Sequence, residues 1–339
     1  MKMLSLFSGV GMIDLAASWA GIETVAFCDI EEYPQKILRR RFPNVPIYSD
    51  IRELTAEKLK GDGIPKIDII SGGFPCQDVS AAGKRTGFVD SEGNVTRSGL
   101  WGEYSRLICE LKPRWIVAEN VRGLLSISAA GIRGEDSELY SETWPKWGIV
   151  LDGHAMELPM LERRMNESEC LLWHTSDCSD RRSPKSKQQG VNNQVKAYWR
   201  TPQSHNGAQG PKSKMFYEEC LKTGQSAITL VDQVKNQLAN KVKLNKTEGQ
   251  LNADWVELLM GLPIGWTDID VANEDIESWT GWPAAINVEQ YAYEPPRVIV
   301  GQKNRAKRLK ALGNGCVPQQ VYLVFAAIVE VESQLPPLL

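Results

Sequence analysis

The sequence lacks any apolar run near the roughly 18 to 20 residues that a membrane-spanning helix requires, and a membrane role is not expected. Histidine is scarce: His154, His174 and His205 are the only three, and none sits in the serine and acid setting of a hydrolase triad. Charge of one sign is lacking too. A net charge of -3 offers no global attraction for a polyanion, so nucleic-acid binding has to come from local basic patches. Paired cysteine spacing is missing: the seven cysteines, at 28, 76, 109, 170, 178, 220 and 316, form an odd set. No charged-then-apolar leader precedes Leu4. The expectation is a reducing cytoplasm with free thiols. Cys170, His174 and Cys178 are spaced for one helix face, but zinc needs four ligands and no fourth is near, so no metal is expected.

What is present is enough for one good core and a second, smaller unit: 339 residues, 42% hydrophobic and 24% charged. Met1 to Phe7 is a short apolar run that stops at Ser8-Gly9-Val10-Gly11 and continues as the amphipathic stretch from Met12 to Gly21. Strand, glycine turn and helix open a nucleotide-binding βαβ unit, although Gly9 and Gly11 alone could merely permit a tight turn. Thr24 to Cys28 reads as a second strand ending on Asp29 and Ile30. An acid about 20 positions past the glycine turn is where such folds hold a ribose hydroxyl pair, and a helix cap ahead of Glu31 to Arg41 is the bland alternative. Val45 to Ile51 is a short extended piece ending on Asp50, placed to accept from an adenine amino group while Ile51 covers the ring. Asp50 could equally cap a helix from Arg52 to Lys60.

Lys66 to Ser71 reads as a buried strand that empties into Gly72-Gly73-Phe74-Pro75-Cys76-Gln77, and Trp115 to Ala118 as a fifth strand ending on Glu119-Asn120-Val121. Open α/β sheets keep their chemistry at the carboxyl ends of strands. A lone cysteine is usually packing and a lone glutamate usually solvated. On neighbouring strand tips they fit one reaction: a thiolate adds to C6 of a pyrimidine while an acid at N3 takes up the charge, making C5 nucleophilic. With adenosyl contacts and no phosphate-binding lysine loop, S-adenosylmethionine is the expected cofactor, and the product a methylated base.

These motifs, in this order, resemble the DNA (cytosine-5) methyltransferases, with the likeness of a phage or prophage-type member. The segments are Phe7-Ser8-Gly9-Val10-Gly11, Asp29, Asp50-Ile51, Gly73-Phe74-Pro75-Cys76-Gln77, Glu119-Asn120-Val121 and Gly313-Asn314-Gly315-Cys316-Val317-Pro318. The resemblance implies a class I S-adenosylmethionine-dependent, Rossmann-like α/β sheet with a smaller, loop-rich target-recognition domain. It implies Cys76 as nucleophile and Glu119 as the group on N3. Phe7, Gly9, Val10, Gly11, Asp29, Ile30, Asp50, Ile51, Pro75 and Leu100 would hold the cofactor, with Asn314 and Cys316 closing its pocket. Gln77 to Arg97 resembles the family's mobile loop. Gln77 and Ser80 would lie near an extruded base, Lys84 and Arg85 on phosphates, and Asn120 and Val121 beside the target.

The resemblance places the catalytic domain at 1–140, completed by 300–339, and the recognition domain at 141–299. Basic residues between 181 and 214 suit phosphate and base-edge contacts there, or a solvated loop. Leu251 to Pro263 reads as a capped amphipathic helix. Asp268 to Pro296, acidic and aromatic, reads as a linker or insert. The basic run from Lys303 to Lys310 could grip DNA or face solvent, and Val321 to Val329 is an apolar helix returning to the first domain. The family's Gln-x-Arg-x-Arg segment has no counterpart after Glu119. The expected partner is double-stranded DNA, bound by a monomer in the cytoplasm of a bacterial or phage-infected cell. An RNA substrate, or DNA binding without turnover, are the alternatives.

Overall fold

A computed structural model describes residues 1–75, 100–119, 249–285 and 288–334, the backbone of 148–151 and 154–157, and scattered positions between 199 and 234. Two compact units make up the chain: Met1–Met160 with Pro318–Leu339, and Leu161–Val317. The first contains β1 (Lys2–Leu6), α1 (Met12–Trp19), β2 (Glu23–Cys28), α2 (Glu32–Arg41), β3 (Ile47–Tyr48), α3 (Ala56–Gly61), β4 (Ile69–Gly73), α4 (Trp101–Leu111), β5 (Trp115–Glu119), β6 (Gly148–Leu151) and β7 (His154–Glu157). The second contains β8 (Gln250–Leu251), α5 (Ala253–Leu259), β9 (Val298–Ile299) and α6 (Arg305–Gly313), after which α7 (Pro318–Gln334) returns the chain to the first unit.

The first unit is an α/β fold on a five-stranded sheet of order β3-β2-β1-β4-β5, parallel throughout. Strands covered on both faces read as continuous apolar runs, which is why this sheet was visible in the sequence. Alternation then sorts the side chains. Leu4, Leu6 and Ile70 enter one core with Ile51, Leu54, Tyr104 and Leu107; Met3 and Ile69 enter the other with Ala16, Phe325 and Ile328. The apolar C-terminal helix therefore does come back to the sheet, and Tyr322 of α7 meets Trp19 of α1 edge to face at 6.2 Å.

One expected helix is broken. In place of a helix from Arg52 to Lys60 there is a 3-10 turn, Ile51–Glu53, and then α3. Leu54 between them is fully buried, and Arg106 donates to the Ile51 and Leu54 carbonyls at 3.0 and 2.9 Å. Those carbonyls are drawn to α4, and Thr55 starts a fresh helix by accepting from the Lys58 N–H at 3.1 Å.

The second unit is organised by a buried cation. Asn252 caps α5 as expected, accepting from the Asp254 N–H at 3.0 Å. Arg308 of α6, from the run read as DNA-gripping or solvated, is 1% exposed. It donates to Glu257 at 2.7 Å, Asp254 at 2.6 Å, Thr267 at 3.0 Å and Asp268 at 3.3 Å. Residues up to Val317 accordingly pack with the second unit, whereas the expected boundary lay at 300. Nor is Asp268 to Pro296 a loose linker. Trp279 donates to the Leu258 carbonyl at 3.3 Å, and Glu294 accepts from Trp255 at 3.2 Å and from the Ala284 N–H at 2.6 Å.

Candidate active site

β1 and β4 are neighbours, and the chain leaves them in opposite directions, β1 toward β2 and β3, β4 toward β5. Ligands of open α/β sheets bind in the crevice at this switch point, beyond the carboxyl ends of the strands. The register aligns those ends: Leu6 pairs with Cys28 and with Gly72, and Gly73 pairs with Glu119. The segments that follow carry Phe7 to Gly11, Asp29, Phe74 to Cys76, and Glu119 itself.

The turn after β1 is conformationally unusual. Phe7 has φ +50° and Gly9 φ +54°, and a left-handed aromatic residue is rare enough to point to function. A Cβ on Gly9 would meet nothing within 4 Å, so the loop has open space above it. Gly11 differs: its Cβ would lie 2.7 Å from the Phe42 ring, so this glycine lets the start of α1 approach the end of α2. Val10 is buried. Asp29 ties the turn to β2 by accepting from the Gly9 N–H at 2.7 Å, and its other oxygen accepts from the Glu31 N–H at 2.8 Å. Gln35 holds the Asp29 carbonyl at 2.7 Å, a contact the sequence reading missed because Gln35 lies a helical turn inside α2.

Asp50 does cap the 3-10 turn, accepting from the Arg52 N–H at 3.0 Å. It also pairs with the Arg52 side chain at 2.5 Å, and this hydrogen-bonded guanidinium holds its carboxyl below the usual carboxylate range. Ile51, Phe7 and Leu100 pack in one apolar cluster together with Tyr48 and Trp101. Ile30 is exposed and Pro75 half-buried. Phe74, Trp101 and Tyr104 form a ring series with centroids 5.1 and 5.3 Å apart. The sequence reading did not single it out; the Leu100-Trp101 start of α4 was its only local signal.

At the other side of the switch point two glycines set the geometry. A Cβ on Gly72 would fall 2.2 Å from the Leu6 carbonyl oxygen, and one on Gly73 would fall 2.8 Å from Glu119 Oε2. The Glu119 carboxylate thus occupies space that any side chain at 73 would claim. Although Glu119 as a residue is exposed, the protein around its carboxyl group desolvates it and raises its pKa. Cys28, at the end of β2, is no rival nucleophile: burial first, then the Asp29 and Asp50 charges, pushes its thiol up to about 12.

Cys76, Gln77, Ser80, Lys84, Arg85, Asn120 and Val121 lie outside the described residues, as do Cys170, His174 and Cys178. Asn314 and Cys316 belong to the second unit; Asn314 ends α6 with its N–H on the Lys310 carbonyl at 3.2 Å. Trp199, within the range expected for the recognition domain, is buried and donates to the Ala284 carbonyl at 2.8 Å. No single helix among the described residues is long and apolar enough to cross a membrane.

An adenosyl group suits the first unit on three observations. Gly9 leaves a cradle that a Cβ would fill, Asp29 and Asp50 stand at adjacent strand tips, and Phe7, Ile51 and Leu100 supply apolar walls from one cluster.

The family model described as C-5 cytosine-specific DNA methylase matches residues 1–131. The type II methyltransferase M2.BsuMI of Bacillus subtilis is 31% identical over 170 residues, covering 49% of this chain and 41% of that protein. M.NgoFVII of Neisseria gonorrhoeae is 40% identical over 125 residues, 37% of this chain and 31% of its own length. Among solved structures, a DNA modification methyltransferase encoded within an Escherichia coli prophage is 32% identical, with TM-score 0.31 over 37% of this chain and 33% of its own. The chain spans less than half the length of these curated relatives. Residues 1–131, the stretch matched by the C-5 cytosine-specific DNA methylase model, hold the glycine turn, Asp29, Asp50, Cys76 and Glu119.

Proposed function

We propose that the chain transfers a methyl group from S-adenosylmethionine to C5 of cytosine in double-stranded DNA, through a covalent adduct on Cys76 with the base turned out of the helix. The observation that carries this reading is the Gly73–Glu119 pairing. It sets the Glu119 carboxyl beside the end of β4, three residues before Cys76 in the chain.

When bound, S-adenosylmethionine would supply an electrophilic methyl group and leave as the neutral thioether. The residues of this chain prepare its acceptor. The Cys76 thiolate forms an Sγ–C6 bond, and N3 takes a proton from Glu119 as C5 gains enamine character. Desolvation of Glu119 favours the protonated form that this step needs. Once C5 carries the methyl group, the C5 proton leaves to a base, the Sγ–C6 bond breaks, and N3 returns its proton. Phe7, Gly9, Val10, Gly11, Asp29, Ile30, Asp50, Ile51, Pro75 and Leu100 would hold the adenosyl group. Gln77, Ser80, Lys84, Arg85, Asn120 and Val121 would face the nucleotide. Residues 1–160 with 318–339 would form the catalytic part and 161–317 the recognition part, in a monomeric cytoplasmic enzyme.

The test is mechanism-based trapping. DNA carrying 5-fluorocytosine lacks the proton that must leave C5, so with cofactor it is expected to give a covalent complex stable to denaturing electrophoresis. Equal trapping by Cys76→Ala would refute the mechanism, and methyl transfer to RNA but not to duplex DNA would refute the substrate.

A further inference from the structure

From Asp268 to Pro296 the sequence contains seven carboxylates and no lysine or arginine. Three of the seven are engaged internally: Asp268 with Arg308, Asp270 with Lys303 and Glu294 with Arg297. Glu274, Asp275, Glu277 and Glu289 are exposed. The same stretch exposes aromatic rings: Trp282 is 38% exposed, Tyr291 50% and Tyr293 39%. These rings form a connected series. Trp279 and Trp282 meet edge to face at 4.8 Å, and Tyr291 and Tyr293 stack at 5.4 Å with 27° between planes. The Tyr293 hydroxyl donates to the Trp282 carbonyl at 2.7 Å, joining the two pairs. Glu277 and Glu289 each lie two residues from a ring of the series.

Solvent-exposed rings in a connected array, in a segment with four exposed carboxylates and no lysine or arginine, match one partner chemistry. Guanidinium groups stack on aromatic faces and pair with carboxylates, and they do so better than ammonium groups because they are planar and less tightly hydrated. Stacked nucleobases would also fit the rings, but their phosphates would sit within a Debye length of about 8 to 10 Å from these carboxylates. A second copy of the chain presenting this same surface would bring like charge to like. We propose that the surface formed by Trp279, Trp282, Tyr291 and Tyr293 docks an arginine-rich segment of another protein, a function separate from methyl transfer and independent of it.

The experiment is fluorescence anisotropy of labelled oligoarginine and oligolysine peptides of equal length, titrated with the full chain. Tighter binding of oligoarginine is expected. Tyr291→Ala should weaken it by about two- to fivefold, the range for one exposed cation–π contact, and Tyr291→Phe should not. The double change Glu277→Gln with Glu289→Gln should weaken both peptides and flatten the salt dependence. Equal affinity for the two peptides, or no effect of Tyr291→Ala, overturns the proposal. So does a loss of duplex DNA affinity in Tyr291→Ala, which would make the rings a base-stacking surface.

Discussion

Replacing Asp14 with Asn should stabilise the first unit at neutral pH, and the reason lies in a carboxyl group the proposed reaction does not use. Asp14 sits on the buried face of α1 at 1% exposure. It accepts from Ser5 of β1 at 3.0 Å and from Thr24 of β2 at 2.9 Å. Burial raises its pKa from 3.8 to about 6, and the two hydroxyl donors recover only part of that cost. In the folded chain the neutral form is favoured, so Asp14 contributes stability that is fully present below pH 3.8 and is lost as pH rises through about 6. The interval corresponds to about 3 kcal/mol by the time both states are ionised. Asparagine stays neutral at every pH. Its amide oxygen accepts from one hydroxyl and its NH2 donates to the other, since Ser and Thr hydroxyls act in both senses. Urea titrations of wild type and Asp14→Asn between about pH 4 and about pH 8, comparing the transition of the first unit, read the difference directly. The variant should be more stable by up to about 3 kcal/mol at the alkaline end, converging with wild type toward the acid end. A variant less stable than wild type at about pH 8, or a difference that does not change with pH, refutes the reasoning.

Other consequences follow from the same contacts. Gly73→Ala puts a methyl group 2.8 Å from Glu119 Oε2, so it should lower kcat at least about tenfold while cofactor affinity, measured by calorimetry, changes little. Gly9→Ala places a methyl group in the open space of the turn and incurs about 1 to 2 kcal/mol of left-handed strain; weaker S-adenosylmethionine binding with unchanged DNA binding is the expected result. Arg308→Ala leaves Glu257, itself fully buried, without its cation. The cost should be about 3 kcal/mol, at the low end for a broken buried pair because Gly265 and Thr267 still donate to that carboxylate. Its urea transition for the second unit should move while that of the first does not.

The contrast between Arg308 and the strand tips shows which interactions a sequence displays. Strands buried on both faces announce themselves through apolar runs, and the acids and glycines that end them stand out against that background. Asp29, Asp50 and Glu119 are therefore legible in the sequence as strand ends. Arg308 was not, because its partners Asp254, Glu257, Thr267 and Asp268 lie 40 to 54 residues away, and a basic run with distant partners looks the same as a solvated one. Asp14 was hidden for the same reason: inside an amphipathic helix one acid reads as the polar face, and only the fold brings Ser5 and Thr24 to it. Gly73 marks an intermediate case. As the second half of a Gly-Gly pair ahead of Phe-Pro-Cys it reads as a turn residue, whereas its structural role is the volume it leaves for Glu119 across the sheet. Composition sets which residues can be buried, but the parallel register of β4 and β5 decides which missing side chain makes room for which carboxylate.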